Sequence, residues 1–60
     1  MAVEIGLSNG KELRLANPDA REDDVVRSIR ESPEGVMTLL TDDGAYRIMI
    51  RHVVYVRTVD

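Results

Sequence analysis

Two short segments near the N-terminus alternate apolar and polar residues, which is the pattern of strands that bury one face. These segments, VEIGL and KELRL, flank Asn9-Gly10. A three-residue loop that ends at Gly10 pairs Ile5 with Leu13, whereas a two-residue loop would set an apolar residue against a polar one. The pattern therefore predicts an antiparallel hairpin in which Gly10 takes the left-handed conformation of a bulged turn.

A second pair of apolar segments, VMTLL and AYRIMI, flanks Asp42-Asp43-Gly44. A three-residue loop at these positions pairs Leu40 with Tyr46 across the hairpin. The predicted core face then holds Val36, Thr38, Leu40, Tyr46, Ile48 and Ile50. The predicted outer face holds Met37, Leu39, Arg47, Met49 and Arg51. Because strands that are apolar on both faces usually have both faces covered, we expect another surface to pack on this outer face.

The continuation of the chain beyond His52 has two interpretations. If the strand runs on unbroken, Val53 and Tyr55 join the face that carries the arginines. A bend or bulge at Arg51-His52 would instead make residues 53 to 59 a separate fifth strand. The alternation of apolar residues agrees with both interpretations.

The segment from 17 to 32 is predicted to be a short helix. Asn17 can cap its first turn, Pro18 suits the first helical position, and acidic residues that follow favour the positive end of the helix dipole. The apolar residues at helical spacing are Val25, Val26 and Ile29. The alternative is a strand, VVRSIRES, joined to the next strand through the turn SPEG. The helix is preferred because it places fewer polar residues on the core side.

These elements predict a single small domain, residues 1 to 60, of the α+β class. We expect a twisted antiparallel sheet of four or five strands with one short helix, in the order β-β-α-β-β-β. The alternative is an all-β barrel of the SH3-like or Sm-like kind.

Two resemblances accompany these motifs. The run VEIGLSNGKELRL, followed later by MTLLTDDGAYRIMIRHVVYVRTV, resembles the strand pattern of the Sm and Hfq small barrels, whose members form RNA-binding rings. The chain departs from that pattern in the segment 17 to 32 and in having no leading helix. Separately, NGKELRLANPD and SIRESPEGV are similar to the small FlbD-type proteins associated with bacterial flagella.

Catalysis, metal binding and cofactor binding are not expected. The chain has no cysteine and one histidine, His52, whose place in an apolar strand is more typical of a structural side chain than of a base. The chain has no glycine-rich phosphate loop and no nucleophile motif. The acidic pairs Asp23-Asp24 and Asp42-Asp43 lack the ligand spacing of a calcium loop. The predicted protein is therefore not an enzyme and holds no cofactor or metal.

Length and composition favour association with another protein surface. The 60 residues include neither Phe nor Trp, and a domain this small buries only about 60% of the surface that its unfolded chain exposes. Small domains without disulfides or metals often recover burial by associating, so we expect a homo-oligomer or a protein partner. No segment has the length and apolar character to cross a bilayer, and the N-terminus lacks a secretory pattern. The expected location is cytoplasmic, without membrane contacts.

The expected function is a non-enzymatic interaction module that self-associates or docks on a protein partner through its second hairpin and C-terminal strand. Exposed apolar area bordered by arginine is typical of such surfaces. The predicted interface has an apolar centre of Met37, Leu39, Met49, Val53 and Tyr55 and a rim of Arg47, Arg51 and Arg57.

Charge distribution leaves two other functions open. Residues 1 to 44 carry ten acidic against five basic residues, whereas residues 45 to 60 carry three arginines against one acid. The first alternative is RNA or DNA binding, with Arg47, Arg51 and Arg57 on phosphates and tyrosines as stacking partners. A net charge of -3 disfavours this alternative. The second is an acidic regulatory or inhibitory protein that presents residues 19 to 34 to a basic partner.

Overall fold

The computed structural model describes residues 1 to 59 and contains five strands, one α-helix and one 3-10 helix. The elements are β1 (Ala2–Leu7), β2 (Glu12–Arg14), α1 (Glu22–Arg30), β3 (Val36–Thr41), β4 (Gly44–Met49), the 3-10 helix (Ile50–His52) and β5 (Val53–Val59). The strands form an antiparallel three-stranded sheet of order β2-β1-β5 and an antiparallel two-stranded sheet of β3 and β4. Mixed strands and one helix are confirmed, while two sheets replace the single sheet of four or five strands.

The first hairpin has the predicted register. Ile5 lies opposite Leu13 and Glu4 lies opposite Arg14. The Leu7 N–H donates to the Lys11 carbonyl at 2.9 Å, which leaves three residues in the loop. Gly10 has a φ of 89°, a value that glycine adopts at little cost.

The second hairpin differs from the predicted register by one residue in β3. Thr41 pairs with Gly44 and Leu39 pairs with Tyr46, so the loop is Asp42-Asp43. The Thr41 hydroxyl lies 2.7 Å from the Asp43 Oδ1 and 2.8 Å from the Gly44 carbonyl, which satisfies this buried polar group inside the turn. A shift of one residue exchanges the two faces of a strand. The prediction that Val36, Thr38 and Leu40 face the core was therefore wrong.

The two sheets are joined where β2 ends. Leu15 and Thr41 form an isolated antiparallel bridge. The Ala16 N–H donates to the Leu40 carbonyl at 2.9 Å, and the Asp42 N–H donates to the Arg14 carbonyl at 3.3 Å. One bridge and two flanking backbone bonds therefore connect the two sheets at this point.

Helix α1 is shorter than the predicted span and begins five residues after Asn17. The Asn17 Oδ1 accepts the Asp19 N–H at 2.9 Å and its carbonyl accepts the Ala20 N–H at 3.1 Å, which closes a separate turn. Asn17 caps this turn and does not cap the helix, because asparagine and proline suit turns as well as helix starts. The N-cap residue is Arg21, which makes no side-chain capping bond.

The chain bends after β4, which decides between the two interpretations of the C-terminal segment. The 3-10 helix spans Ile50–His52, and β5 then pairs antiparallel with β1. The Ile50 N–H donates to the Gly35 carbonyl at 2.8 Å and ties the bend to the start of the hairpin. Residues 53 to 59 thus form a separate strand in the first sheet.

The core lies between the two sheets and the helix. Its buried side chains are Val3, Ile5, Leu13, Val25, Leu39 and Ile48. Each element except the 3-10 helix and β5 contributes at least one of them, and Val53 and Val56 of β5 pack against the cluster. Within residues 1 to 59, no helix has the length and apolar character to span a membrane.

Candidate interaction surface

The outward side of the second hairpin carries the largest exposed apolar side chains of the two-stranded sheet. The outer hairpin face consists of Val36, Thr38, Leu40, Ala45, Arg47 and Met49. Its cross-strand pairs are Val36 with Met49, Thr38 with Arg47 and Leu40 with Ala45. Leu40 is 67% exposed and Met49 is 46% exposed, so apolar groups lie at both ends of a strip with Arg47 in the middle.

Two residues of the predicted interface face the core. Leu39 is buried in the core and Met37 packs against it, because the one-residue shift in register turns both toward the other sheet. Met49 lies on the outer hairpin face as expected from its predicted side of β4. Leu40 takes the exposed position that the sequence assigned to Leu39. A two-residue loop at Asp42-Asp43 would have revealed Leu40 in advance.

The three predicted arginines lie in different surroundings. Arg47 is exposed on the outer hairpin face, and Arg51 is exposed on the 3-10 helix. Neither forms an ion pair with another residue of the range 1 to 59. Arg57 lies on the outward side of the three-stranded sheet and is engaged with acidic groups there. The structure therefore does not gather the three arginines into one rim.

Arg57 belongs to an ion-pair cluster that crosses all three strands of the first sheet. Its guanidinium lies 2.9 Å from the Glu4 Oε1 and 2.9 Å from the Glu12 Oε2. Arg14 approaches Glu4 from the other side, at 3.1 Å. The Glu4 side chain is only 13% exposed, so it accepts charge-assisted bonds from both neighbouring strands in a partly shielded position.

These contacts shift the protonation equilibria of the cluster. The hydrogen bond from Arg57, then that from Arg14, lowers the pKa of Glu4 below its ordinary value. The bond to Glu4 raises the pKa of Arg57 in turn, with a further contribution from Glu12. Both shifts favour the charged pair at neutral pH. The sequence suggested Glu4 beside Arg14, but only the pairing of β5 with β1 brings Arg57 to the same carboxylate.

Tyr55 covers the backbone of Gly6 on the same side of the sheet. Gly6 lies opposite Tyr55, and a Cβ at position 6 would clash with the Tyr55 ring. The absence of a side chain at position 6 thus allows the ring to lie on the strand. The Tyr55 hydroxyl donates to Glu12, which raises the pKa of the tyrosine. Tyr55 remains 39% exposed.

A small cavity lies where the first loop meets the 3-10 helix. It has a volume of about 260 Å³ and is lined by Leu7, Ser8, Asn9, Ile48, Met49 and His52. The Ser8 Oγ lies 3.0 Å from the His52 Nδ1, and the Ser8 N–H donates to the His52 carbonyl at 2.8 Å. No carboxylate of residues 1 to 59 bonds to the imidazole, so the third group of a hydrolytic triad is not in place. This pair ties the loop to the bend.

Other polar groups form a local cluster at the end of the second hairpin. The Lys11 Nζ donates to the Tyr46 hydroxyl at 3.2 Å, and this hydroxyl donates to the Asp43 Oδ2 at 3.0 Å. Bonds from Thr41, then Tyr46, lower the pKa of Asp43. In the described range 1 to 59, no group of three or more acidic or histidine side chains could hold a metal ion.

β4 and β5 each have one edge that no strand pairs with in the described part of the chain, although α1 packs against β5, where the Thr58 hydroxyl donates to Glu22 at 2.8 Å. β4 is paired only with β3, and β5 is paired only with β1. β5 also carries Val54, which is 64% exposed, next to Tyr55. An open edge presents unpaired N–H and C=O groups to which another strand can add. These two edges and the outer hairpin face belong to the segments that the sequence predicted to form the interface.

Comparisons of the chain with known protein families, with curated proteins and with solved structures find no match.

Proposed function

We propose that this chain is a non-enzymatic protein-interaction module that self-associates or docks on a protein partner through the second hairpin and β5. Its interaction surface combines the outer hairpin face with the exposed part of β5. The observation that carries this proposal is the exposure of Leu40 and Met49 beside an open strand edge.

The outer hairpin face has the composition of a contact surface. Leu40, Met49 and Val36 supply apolar area, while Arg47 supplies a side chain that is enriched at protein interfaces. Within residues 1 to 59 the helix packs on the other side of the hairpin, where Val25 meets the core. Strands that are apolar on both faces usually have both faces covered, and a partner on Leu40 and Met49 would cover the second face of the hairpin.

The test measures how strongly the purified chain associates, with and without lysines introduced on the outer hairpin face. The unaltered chain is compared with the double variant Leu40→Lys, Met49→Lys. Sedimentation velocity from micromolar to millimolar concentration measures self-association, and binding assays measure association with candidate partners. We expect association to weaken by at least tenfold, because burying an unpaired lysine is costly. The matched control is Ser28→Lys on the exposed side of α1.

Two outcomes would refute the proposed function. In the first, the double variant retains the far-ultraviolet spectrum and the full association of the unaltered chain. In the second, Ser28→Lys weakens association as much as the double variant does, which would place the contact on the helix.

Nucleic-acid binding has less support than protein binding. Arg57 is neutralised by Glu4 and Glu12, so only Arg47 and Arg51 of the predicted basic set are left to meet phosphates. Two exposed arginines on a chain of net charge -3 provide little electrostatic attraction for the phosphates of a nucleic acid. Presentation of the acidic segment 19 to 34 to a basic partner stays a prediction.

A further inference from the structure

We infer that the small cavity beside the 3-10 helix is an anchor pocket, which takes one aliphatic side chain from an acidic peptide segment of a partner protein. This inference rests on the proposed function, because it names the kind of partner that docks beside Met49. The residues that line the anchor pocket are Leu7, Ser8, Asn9, Ile48, Met49 and His52.

The size and lining of the anchor pocket favour a single apolar side chain as its occupant. Its volume of about 260 Å³ lies below the roughly 300–1,000 Å³ of small-molecule sites. Leu7, Ile48 and Met49 supply apolar surface, whereas the polar side chains of Ser8 and His52 lie 3.0 Å apart and bond to each other. Because these two polar groups already have a partner, an apolar occupant leaves neither of them without a hydrogen bond.

The walls of the anchor pocket are held in place by bonds within the chain. The Ser8 N–H donates to the His52 carbonyl at 2.8 Å, and the Asn9 Oδ1 accepts the Lys11 N–H at 3.0 Å. Ile48 belongs to the buried core. A pocket that is formed before binding lowers the ordering cost of association, and anchor side chains in such pockets contribute much of the affinity of protein interfaces.

Met49 connects the anchor pocket with the outer hairpin face. Its side chain lines the pocket and is 46% exposed. Met49 pairs with Val36 at one end of the outer hairpin face, while Leu40 pairs with Ala45 at the other end. A segment anchored in the pocket thus lies beside the apolar strip that the proposed function assigns to a partner.

The cations around Met49 determine the charge expected of the partner segment. Arg47 precedes Met49 by two residues on the same face of β4, about 7 Å along the strand. Arg51 lies between Met49 and His52 along the chain. Both arginines are exposed, and neither forms an ion pair within residues 1 to 59. Carboxylates beside the anchoring side chain would form charge-assisted hydrogen bonds with these arginines.

The acidic residues near the second hairpin leave these two arginines available to a partner. Asp42 and Asp43 form the turn at the opposite end of the hairpin. Glu34, in the turn before β3, forms no ion pair in the described part of the chain. Residues 45 to 60 carry three arginines against one acid, so the charge of this segment is opposite in sign to the net charge of -3. Charge complementarity therefore favours an acidic partner segment over a basic one.

The test is a titration of the isotope-labelled chain with synthetic peptides, followed by nuclear magnetic resonance. The probe is the peptide Glu-Asp-Leu-Asp-Glu with blocked ends, and we expect it to cause saturable shifts in the amide signals of Leu7, Ser8, Met49 and His52. Two control peptides each lack one feature: Glu-Asp-Ser-Asp-Glu has no aliphatic side chain, and Lys-Gln-Leu-Gln-Lys has no acid. Each control peptide should bind roughly fivefold more weakly than the probe, or less.

Three charge-reversal variants test the contribution of the arginines. Arg47→Glu and Arg51→Glu, made separately, should each weaken probe binding about fivefold, because repulsion replaces attraction. Arg21→Glu is the matched control, since it changes the net charge equally at an exposed residue beside the helix start. This control should bind the probe as tightly as the unaltered chain does.

Several other results overturn the inference without deciding the proposed function. The absence of saturable shifts at millimolar probe removes the anchor pocket, while association through the outer hairpin face is measured separately with the variant Leu40→Lys, Met49→Lys. Equal binding of the serine peptide, or shifts confined to other parts of the chain, excludes an aliphatic anchor. Equal binding of the basic peptide, or an equal loss in Arg21→Glu and Arg51→Glu, excludes the acidic partner.

Two further results identify a different occupant. Shifts at the same four residues that grow with protein concentration, without any peptide, would assign the anchor pocket to a second copy of the chain and support only the self-association in the proposed function. Displacement of the probe by a lower concentration of single-stranded DNA would assign the two arginines to phosphates and count against both proposals.

Discussion

At the scale of single residues, Glu4 is the side chain that connects the ion pairs on the outward side of the three-stranded sheet. It accepts bonds from Arg14 on β2 and from Arg57 on β5, so one carboxylate links three strands. Its pKa is lowered by these bonds. The folded state therefore binds the Glu4 proton less tightly than the unfolded chain does, and folding is favoured when this carboxylate is ionised.

The acid sensitivity of the protein should consequently fall when Glu4 is replaced by Gln. The stabilisation from Glu4 is fully present above its ordinary pKa of 4.5 and is lost as the pH falls through the lower pKa of the folded state. As the pH is lowered from neutral into that acidic range, the free energy of unfolding should decline less steeply in Glu4→Gln than in the unaltered chain. Urea unfolding at a series of pH values measures this difference.

A matched control separates this effect from the removal of one negative charge. Glu34 lies exposed in the turn before β3 and forms no ion pair with the other residues of the range 1 to 59. Glu34→Gln should therefore keep the acid sensitivity of the unaltered chain. Equal pH dependence in Glu4→Gln and the unaltered chain would show that the ion-pair cluster does not contribute to folding stability.

At the scale of elements, the two hairpins show when apolar patterning determines a register. In the first hairpin only one face is apolar, so a single loop length places Ile5 opposite Leu13 and leaves polar residues outside. In the second hairpin both faces carry apolar residues, so patterning allows either loop length. The bonds of the Thr41 hydroxyl within the turn favour the two-residue loop. That energetic detail was not visible in the alternation of residue types.

The helix was predicted from periodicity, while its start was not. Val25 and Ile29 meet the core as expected from their spacing. The first residues of the predicted span form a turn closed by Asn17, and the helix begins after Arg21. Arg21 is a poor N-cap residue, because it cannot accept a backbone N–H and its charge opposes the helix dipole.

Replacement of Arg21 by Ser should therefore stabilise the protein. The serine Oγ can accept a backbone N–H of the first helical turn, and a good N-cap contributes about 1 kcal/mol. Thermal and urea unfolding measure the gain. Asn17→Ala is the control, and it should leave the helical signal in far-ultraviolet circular dichroism unchanged. A loss of helical signal in Asn17→Ala, with no stabilisation in Arg21→Ser, would move the helix start back to Asn17.

At the scale of the whole molecule, the candidate surface was predicted only in part because it depends on two long-range arrangements. The sequence identified the second hairpin and β5 as the segments with excess apolar side chains. Which of Leu39 and Leu40 is exposed depends on the hairpin register, and the engagement of Arg57 depends on the pairing of β5 with β1. Neither arrangement follows from local periodicity, since residues far apart in sequence decide both.

Leu39 joins the two sheets in a core of six buried side chains, so its truncation should affect the entire fold. A domain of this size has a total stability of about 3–9 kcal/mol, and Leu→Ala in a core costs about 2–5 kcal/mol. Leu39→Ala is therefore expected to bring the monomer close to unfolding. Its neighbour Leu40 is 67% exposed, so Leu40→Ala should change the stability by less than about 0.5 kcal/mol.

These adjacent leucines form a matched pair, because the same atoms are removed from the same strand on opposite faces. Urea unfolding at low protein concentration, where self-association does not contribute, measures both free energies. The three-residue loop expected from the sequence would reverse the order, with Leu40→Ala the damaging change. A large loss in Leu39→Ala and a small one in Leu40→Ala would establish that Leu40 faces outward, which the proposed surface requires. The reverse order would place Leu40 in the core and remove the apolar residue that contributes most to that surface.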